Sequence, residues 1–130
     1  MLIYRVEHRE DRNGPYNCLN VDLRRKMGDI HYKDPERPVW CEDGLVGKFE
    51  PWKDHRFGFN ALEKAFDWFD NALEYLDEFL LVTYECPEDA VILSESGRQV
   101  VFEFGKAKSL GEILFLDAYI LGNAPIVKTH

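Results

Sequence analysis

Residues 56–86 read RFGFNALEKAFDWFDNALEYLDEFLLVTYEC, a strongly periodic stretch that passes without a break into a continuous apolar run. Asn60 suits an N-cap, and Glu63 lies three residues on, as in a capping box. From there Leu62, Phe66, Phe69, Leu73 and Leu76 share one stripe at helical spacing. Ala61, Ala65, Trp68, Ala72 and Tyr75 widen that stripe to about half the circumference at 100° per residue. An arc that wide needs a sheet to cover it, so a long amphipathic helix over 61–76 is expected to pack across one. The run Phe79-Leu80-Leu81-Val82-Thr83-Tyr84 that follows suits a strand with both faces partly covered, closed by Pro87.

The other face of the same helix carries Glu63, Asp67, Asp70, Glu74 and Asp77, spaced so that all five fall on one line. Like charges at those spacings cost an isolated helix about 0.2–0.5 kcal/mol per pair. No lysine or arginine interleaves them; Lys64 lies beside the line. Two readings stay open: a solvated face, and a ridge that docks on a basic partner. A catalytic or metal role is disfavoured, because nothing in an exposed row perturbs carboxylate pKa values.

Working outward, residues 2–7 alternate as a strand, with Leu2, Tyr4 and Val6 on one face and Ile3, Arg5 and Glu7 on the other. Gly14-Pro15-Tyr16 is loop punctuation. Residues 17–52 lack periodicity and are interrupted by Asp34-Pro35, Arg37-Pro38, Asp43-Gly44 and Glu50-Pro51. They read as a long irregular connection with at most a short helix at 21–27, packed down by Tyr32, Trp40, Phe49 and Trp52. Strands are expected at 90–93 and 99–104, forming an antiparallel meander with 79–84. Ser109-Leu110-Gly111-Glu112 matches a capping box and implies a buried C-terminal helix over 110–121, stopped at Gly122. A strand there is the alternative, and 124–130 reads as a tail. The fold class is α+β, in one domain over 1–130.

The net charge of −8 is unevenly spread. Residues 1–56 hold 11 basic and 11 acidic side chains, whereas 57–130 hold 5 and 13, so the whole excess lies beyond residue 56. Direct nucleic-acid binding is disfavoured for want of a basic footprint. An acidic surface instead attracts a basic protein surface, including one that normally holds nucleic acid. No apolar run approaches the 18 residues of a membrane span, and no signal pattern opens the chain. Three cysteines (Cys18, Cys41, Cys86) without a paired motif fit a reduced, cytoplasmic setting. His8, His31, His55 and His130 are dispersed, so no metal is expected. Cys86 beside Glu85 reads as structural, and Phe57-Gly58-Phe59 as a close-packing corner.

The Tyr4-Arg5-Val6-Glu7 strand followed by Gly14-Pro15-Tyr16 resembles the opening of small bacteriophage proteins. That resemblance implies a non-enzymatic protein that binds and modulates or blocks a host factor, here by docking its acidic helix on a basic host surface. A second resemblance rests on the order of elements: Arg5 on the first strand, the Gly14-Pro15-Tyr16 loop, the aromatic helix and the Arg98-Gln99-Val100-Val101-Phe102 strand. This order is similar to that of small ADP-ribosyltransferase domains, active or degenerate. It implies an NAD pocket with Arg5, His8, Tyr16 and Gln99 or Glu103 near it; in the catalytic position at the head of the late strand Gln99 could not stabilise an oxocarbenium charge as a carboxylate does. Without that alternative no cofactor is expected.

Overall fold

A computed structural model describes residues 1–50 and 53–122. Trp52, His130 and the 124–130 tail lie outside the described residues. Nine regular elements follow in order: β1 Leu2–His8, α1 Val21–His31, β2 His55–Gly58, α2 Leu62–Phe69, β3 Phe79–Glu85, β4 Val91–Leu93, β5 Val100–Glu103, β6 Lys108–Leu114 and α3 Phe115–Leu121. The class is α+β.

In place of one sheet there are two, both antiparallel and three-stranded, ordered β1-β3-β6 and β2-β5-β4. The expected meander is therefore split: β4 and β5 pair, but β3 lies between β1 and β6 in the other sheet. An isolated bridge between Tyr4 and Phe59 joins the two sheets. Gly58 permits that approach, since a Cβ there would lie 2.7 Å from Ile3 Cγ2 and 3.0 Å from the Tyr4 carbonyl. The close-packing reading of 57–59 holds, at the end of a strand that periodicity did not reveal.

The first sheet is the middle of three layers. Val6, Phe79 and Leu81 on one of its faces pack with Leu23, Met27, Trp68, Phe69 and Phe115 from the helices. Ile3, Val82 and Tyr84 on its other face pack with Val100 and Phe102 of the second sheet. This explains the near-uniform apolarity of β3. Arg5 and Glu7, which share the face of Ile3, are buried.

The expected 61–76 helix is interrupted. The α-helix ends at Phe69 and a 3₁₀ segment runs over Asp70–Glu78, with Ala72 at non-helical angles (φ −123°, ψ 26°). Its N-cap is Ala61 without a side-chain bond, while Asn60 Oδ1 instead accepts from Lys64 Nζ at 2.7 Å. The break has a cause from outside the helix. Arg37 donates to the carbonyls of Trp68 (2.5 Å) and Asp67 (2.7 Å), competing with the next turn for its acceptors. Even so, the apolar stripe keeps its function: Ala65, Trp68, Phe69, Ala72 and Leu76 are all buried, although Leu73 is exposed.

Within 17–52, α1 runs four residues past the expected 21–27 and is capped by Asn20 Oδ1, which accepts from the Leu23 amide at 3.1 Å. Trp40 and Phe49 pack on one another and on Phe57, whereas Tyr32 is exposed. The 110–121 helix is corrected in its first half. Residues 108–114 form β6, so Ser109 and Glu112 sit in a strand and make no capping box; only Phe115–Leu121 is helical. Gly122 ends it in the left-handed region at φ 71°, as expected.

Candidate interaction surface

All five carboxylate residues of the predicted line are exposed: Glu63 and Asp67 on α2, and Asp70, Glu74 and Asp77 on the 3₁₀ segment. The break at Ala72 interrupts the row, and a cation that the row itself lacks is supplied by another segment. Arg37, from the connection between α1 and β2, reaches across to donate from Nη2 to Asp70 Oδ1 and from Nη1 to Asp34 Oδ2, each at 2.6 Å. With its two carbonyl acceptors this guanidinium makes four hydrogen bonds, and its side chain is 9% exposed. The remaining four, Glu63, Asp67, Glu74 and Asp77, have no cation within ion-pair distance among the described residues.

Beside Arg37 the surface opens into a cavity of about 170 Å³. Glu36, Asp67 and Asp70 line it with carboxylates, Arg37, Lys64 and Arg98 with cations, and Trp68 forms part of its wall. Lys64 is pinned, donating to Asn60 Oδ1 and, at 2.8 Å, to the Gly97 carbonyl. Arg98 is exposed and has no carboxylate partner among the described residues.

Under this surface lies a polar chain that periodicity could not show. Trp68 Nε1 donates to the Tyr16 hydroxyl at 2.8 Å, that hydroxyl bonds His31 Nδ1, and His31 Nε2 meets Asn71 Oδ1 at 2.9 Å. With Asn71 accepting, the proton of a neutral His31 sits on Nε2 and Nδ1 accepts from Tyr16. Burial pushes the Tyr16 hydroxyl well above its ordinary pKa, and burial likewise lowers that of His31. The chain ties the Gly14-Pro15-Tyr16 loop and the end of α1 to α2 and the 3₁₀ segment.

The pocket implied by the transferase resemblance is not assembled, because its five residues are engaged with different neighbours. Arg5 is buried, bonded from Nε to Glu7 (3.1 Å) and from Nη1 to the Phe57 carbonyl (2.9 Å). Burial pulls the Arg5 pKa down against the opposing effect of Glu7. His8 is buried with neither ring nitrogen hydrogen-bonded, its Nδ1 3.4 Å from Asp11 and its Nε2 3.9 Å from Glu78. Tyr16 belongs to the chain above. Gln99 donates from Nε2 to Asp43 and to the Pro38 carbonyl. Burial pushes the Asp43 carboxyl up, but hydrogen bonds from Gln99 and Ser96 outweigh it and hold the group below its usual range. Glu103 pairs with Lys53 and Lys106 and lines a second cavity, of about 210 Å³, which none of the other four lines.

Among the described residues no cluster of three or more His, Cys, Asp and Glu side chains is placed to hold a metal ion, and no helix is long and apolar enough to cross a membrane. Arg37 and its cavity are what sequence reading missed. The available signal was the Asp34-Pro35-Glu36-Arg37-Pro38 segment, in which two prolines stiffen the backbone around one arginine.

No curated protein and no solved structure matches this chain. One family does, described as Bacteriophage T4 Y00F protein, and it matches residues 1–116. With all but the last 14 of 130 residues inside that match, the chain belongs to the Bacteriophage T4 Y00F protein family, in line with the phage resemblance of its opening strand and loop.

Proposed function

We propose that this phage-family protein is a non-enzymatic binding protein that docks its α2 and 3₁₀ acidic face on a basic surface of a host protein and so modulates or inhibits it. The observation that carries this reading is the set of four exposed carboxylates, Glu63, Asp67, Glu74 and Asp77, without a cation of their own among the described residues. The fold supplies Arg37 to neutralise Asp70 and, among the described residues, no cation to the others, although their mutual repulsion opposes folding. Exposed ion pairs contribute about 0.2–1 kcal/mol each. Four of them therefore mainly steer the encounter and set its sensitivity to salt. A partner surface shaped to hold nucleic acid has the required charge.

The test uses host-cell lysate passed over the immobilised native protein and over the Glu63→Lys, Asp67→Lys, Glu74→Lys, Asp77→Lys variant. Asp70 is left intact so that the Arg37 contact survives. Basic proteins retained by the native chain should be missing from the variant and should elute from the native chain as salt is raised. The same proteins retained by both, at low and high salt, would remove the acidic face from the binding surface.

A further inference from the structure

A face of solvated carboxylates gives steering but little holding power, because each exposed pair is weak and screened. Specific interfaces are held by a few side chains seated in well-packed holes. The acidic face has such a hole at the end of α2. Its volume, about 170 Å³, is below the roughly 300 Å³ at which small-molecule sites begin. One long side chain fits it better than a nucleotide or cofactor does.

Its lining identifies the charge of that side chain. Of the three cations, Arg37 is satisfied by two carbonyls and two carboxylates, and Lys64 by Asn60 and Gly97. Only Arg98 has no partner among the described residues, and it is exposed, free to extend into solvent. Of the three carboxylates, Asp67 and Glu36 have no ion pair among the described residues, and Asp70 offers its second oxygen. Beside them, Asp70 and the helix-end carbonyls bind the guanidinium of Arg37, brought by the chain's own connecting segment. We infer that the cavity beside Arg37 seats one arginine or lysine side chain of the basic partner, its cationic head between Asp67 and Glu36 and its stem along Trp68. This names the anchor of the docking reading above and rests on it.

The experiment titrates ¹⁵N-labelled protein with the capped peptide acetyl-Gly-Arg-Gly-amide, its lysine counterpart and its glutamate counterpart, following the Trp68 indole N–H. The arginine or lysine peptide should shift that signal saturably. Asp67→Asn, which retains the backbone carbonyl used by Arg37, should weaken the arginine peptide by about tenfold, the scale of one lost charged acceptor. Glu36→Gln should weaken it in the same direction, and Glu88→Gln, an exposed carboxylate outside the acidic face, should leave it unchanged. No saturable shift with either basic peptide would overturn the inference. Equal weakening by Asp67→Asn and Glu88→Gln would also overturn it, as the mark of a diffuse field. So would tighter binding of the glutamate peptide that Arg98→Gln abolishes, since the hole would then take an anion. The lysate comparison and this titration fail separately: a seat that binds peptide on a face that captures no partner refutes the docking reading alone, and the reverse refutes the seat alone.

Discussion

Glu7 is 1% exposed, and three donors surround its carboxylate. Arg12 Nε reaches Oε1 at 2.9 Å, and Arg5 Nε (3.1 Å) and the Tyr84 hydroxyl (2.6 Å) reach Oε2. Removing one member of such a buried group strands the others, so Glu7→Gln should lower the unfolding free energy by about 3–5 kcal/mol in urea titration. Glu112→Gln breaks only the half-exposed pair to Arg12 and should cost less than about 1 kcal/mol in the same measurement. His31 gives the pH dependence. Burial lowers its pKa, with the Asn71 bond opposing, so the unfolded chain takes up the proton more readily than the folded one. Its contribution to stability is therefore present above the unfolded histidine pKa of about 6.5 and is lost as pH falls below it. Between about pH 7.5 and about pH 5.5 the native urea midpoint should fall by more than that of His31→Gln; equal falls would rule out this linkage.

At the scale of elements, α2 decides which aromatic positions matter. Phe69 is 2% exposed and touches Phe59 and Phe115, whereas Phe66 is only partly buried against Phe115 and Tyr119. Sequence spacing placed the two alike on one stripe; the structure separates them. Phe69→Ala should cost about 3–5 kcal/mol, and Phe66→Ala about half as much, both read by urea unfolding. The 3₁₀ segment depends on a residue far outside it. Arg37→Met should cost about 2 kcal/mol, because two helix-end carbonyls and two carboxylates lose a charged donor. It should also change amide exchange in residues 70–78 before the rest of the molecule, since the helix-end acceptors are released. Unchanged exchange there would mean that Arg37 does not cause the break. A charge reversal that includes Asp70 should destabilise the fold, in contrast to one confined to Glu63, Asp67, Glu74 and Asp77.

At the scale of the whole molecule, the three layers meet where β1 carries one face to the helices and the other to the second sheet. Gly58→Ala tests the joint: its methyl group would collide with Ile3 and the Tyr4 carbonyl, costing about 1–3 kcal/mol as overpacking, with a lowered thermal midpoint as the readout. An unmoved midpoint would show that the sheets shift apart freely. What the residues determine by themselves is local: the apolar stripe of 61–76, the strands of 2–8 and 79–85, the glycine stop at 122 and the acidic row are all set by which side chains share a face within a few positions. Charge imbalance and the phage-type opening are legible for the same reason. Tertiary structure alone decided where those faces go. Glu7 meets Tyr84 across 77 positions and Arg37 meets Asp70 across 33, and no periodicity records such pairings. Ile113–Phe115 is too apolar for periodicity to choose between helix and strand, and pairing along the edge of β3 makes 108–114 a strand. Arg5 and Glu7 read as polar because alternation reports composition, yet both are buried, Arg5 against the Phe57 carbonyl and Glu7 against Arg12 and Tyr84, and the two pair with each other.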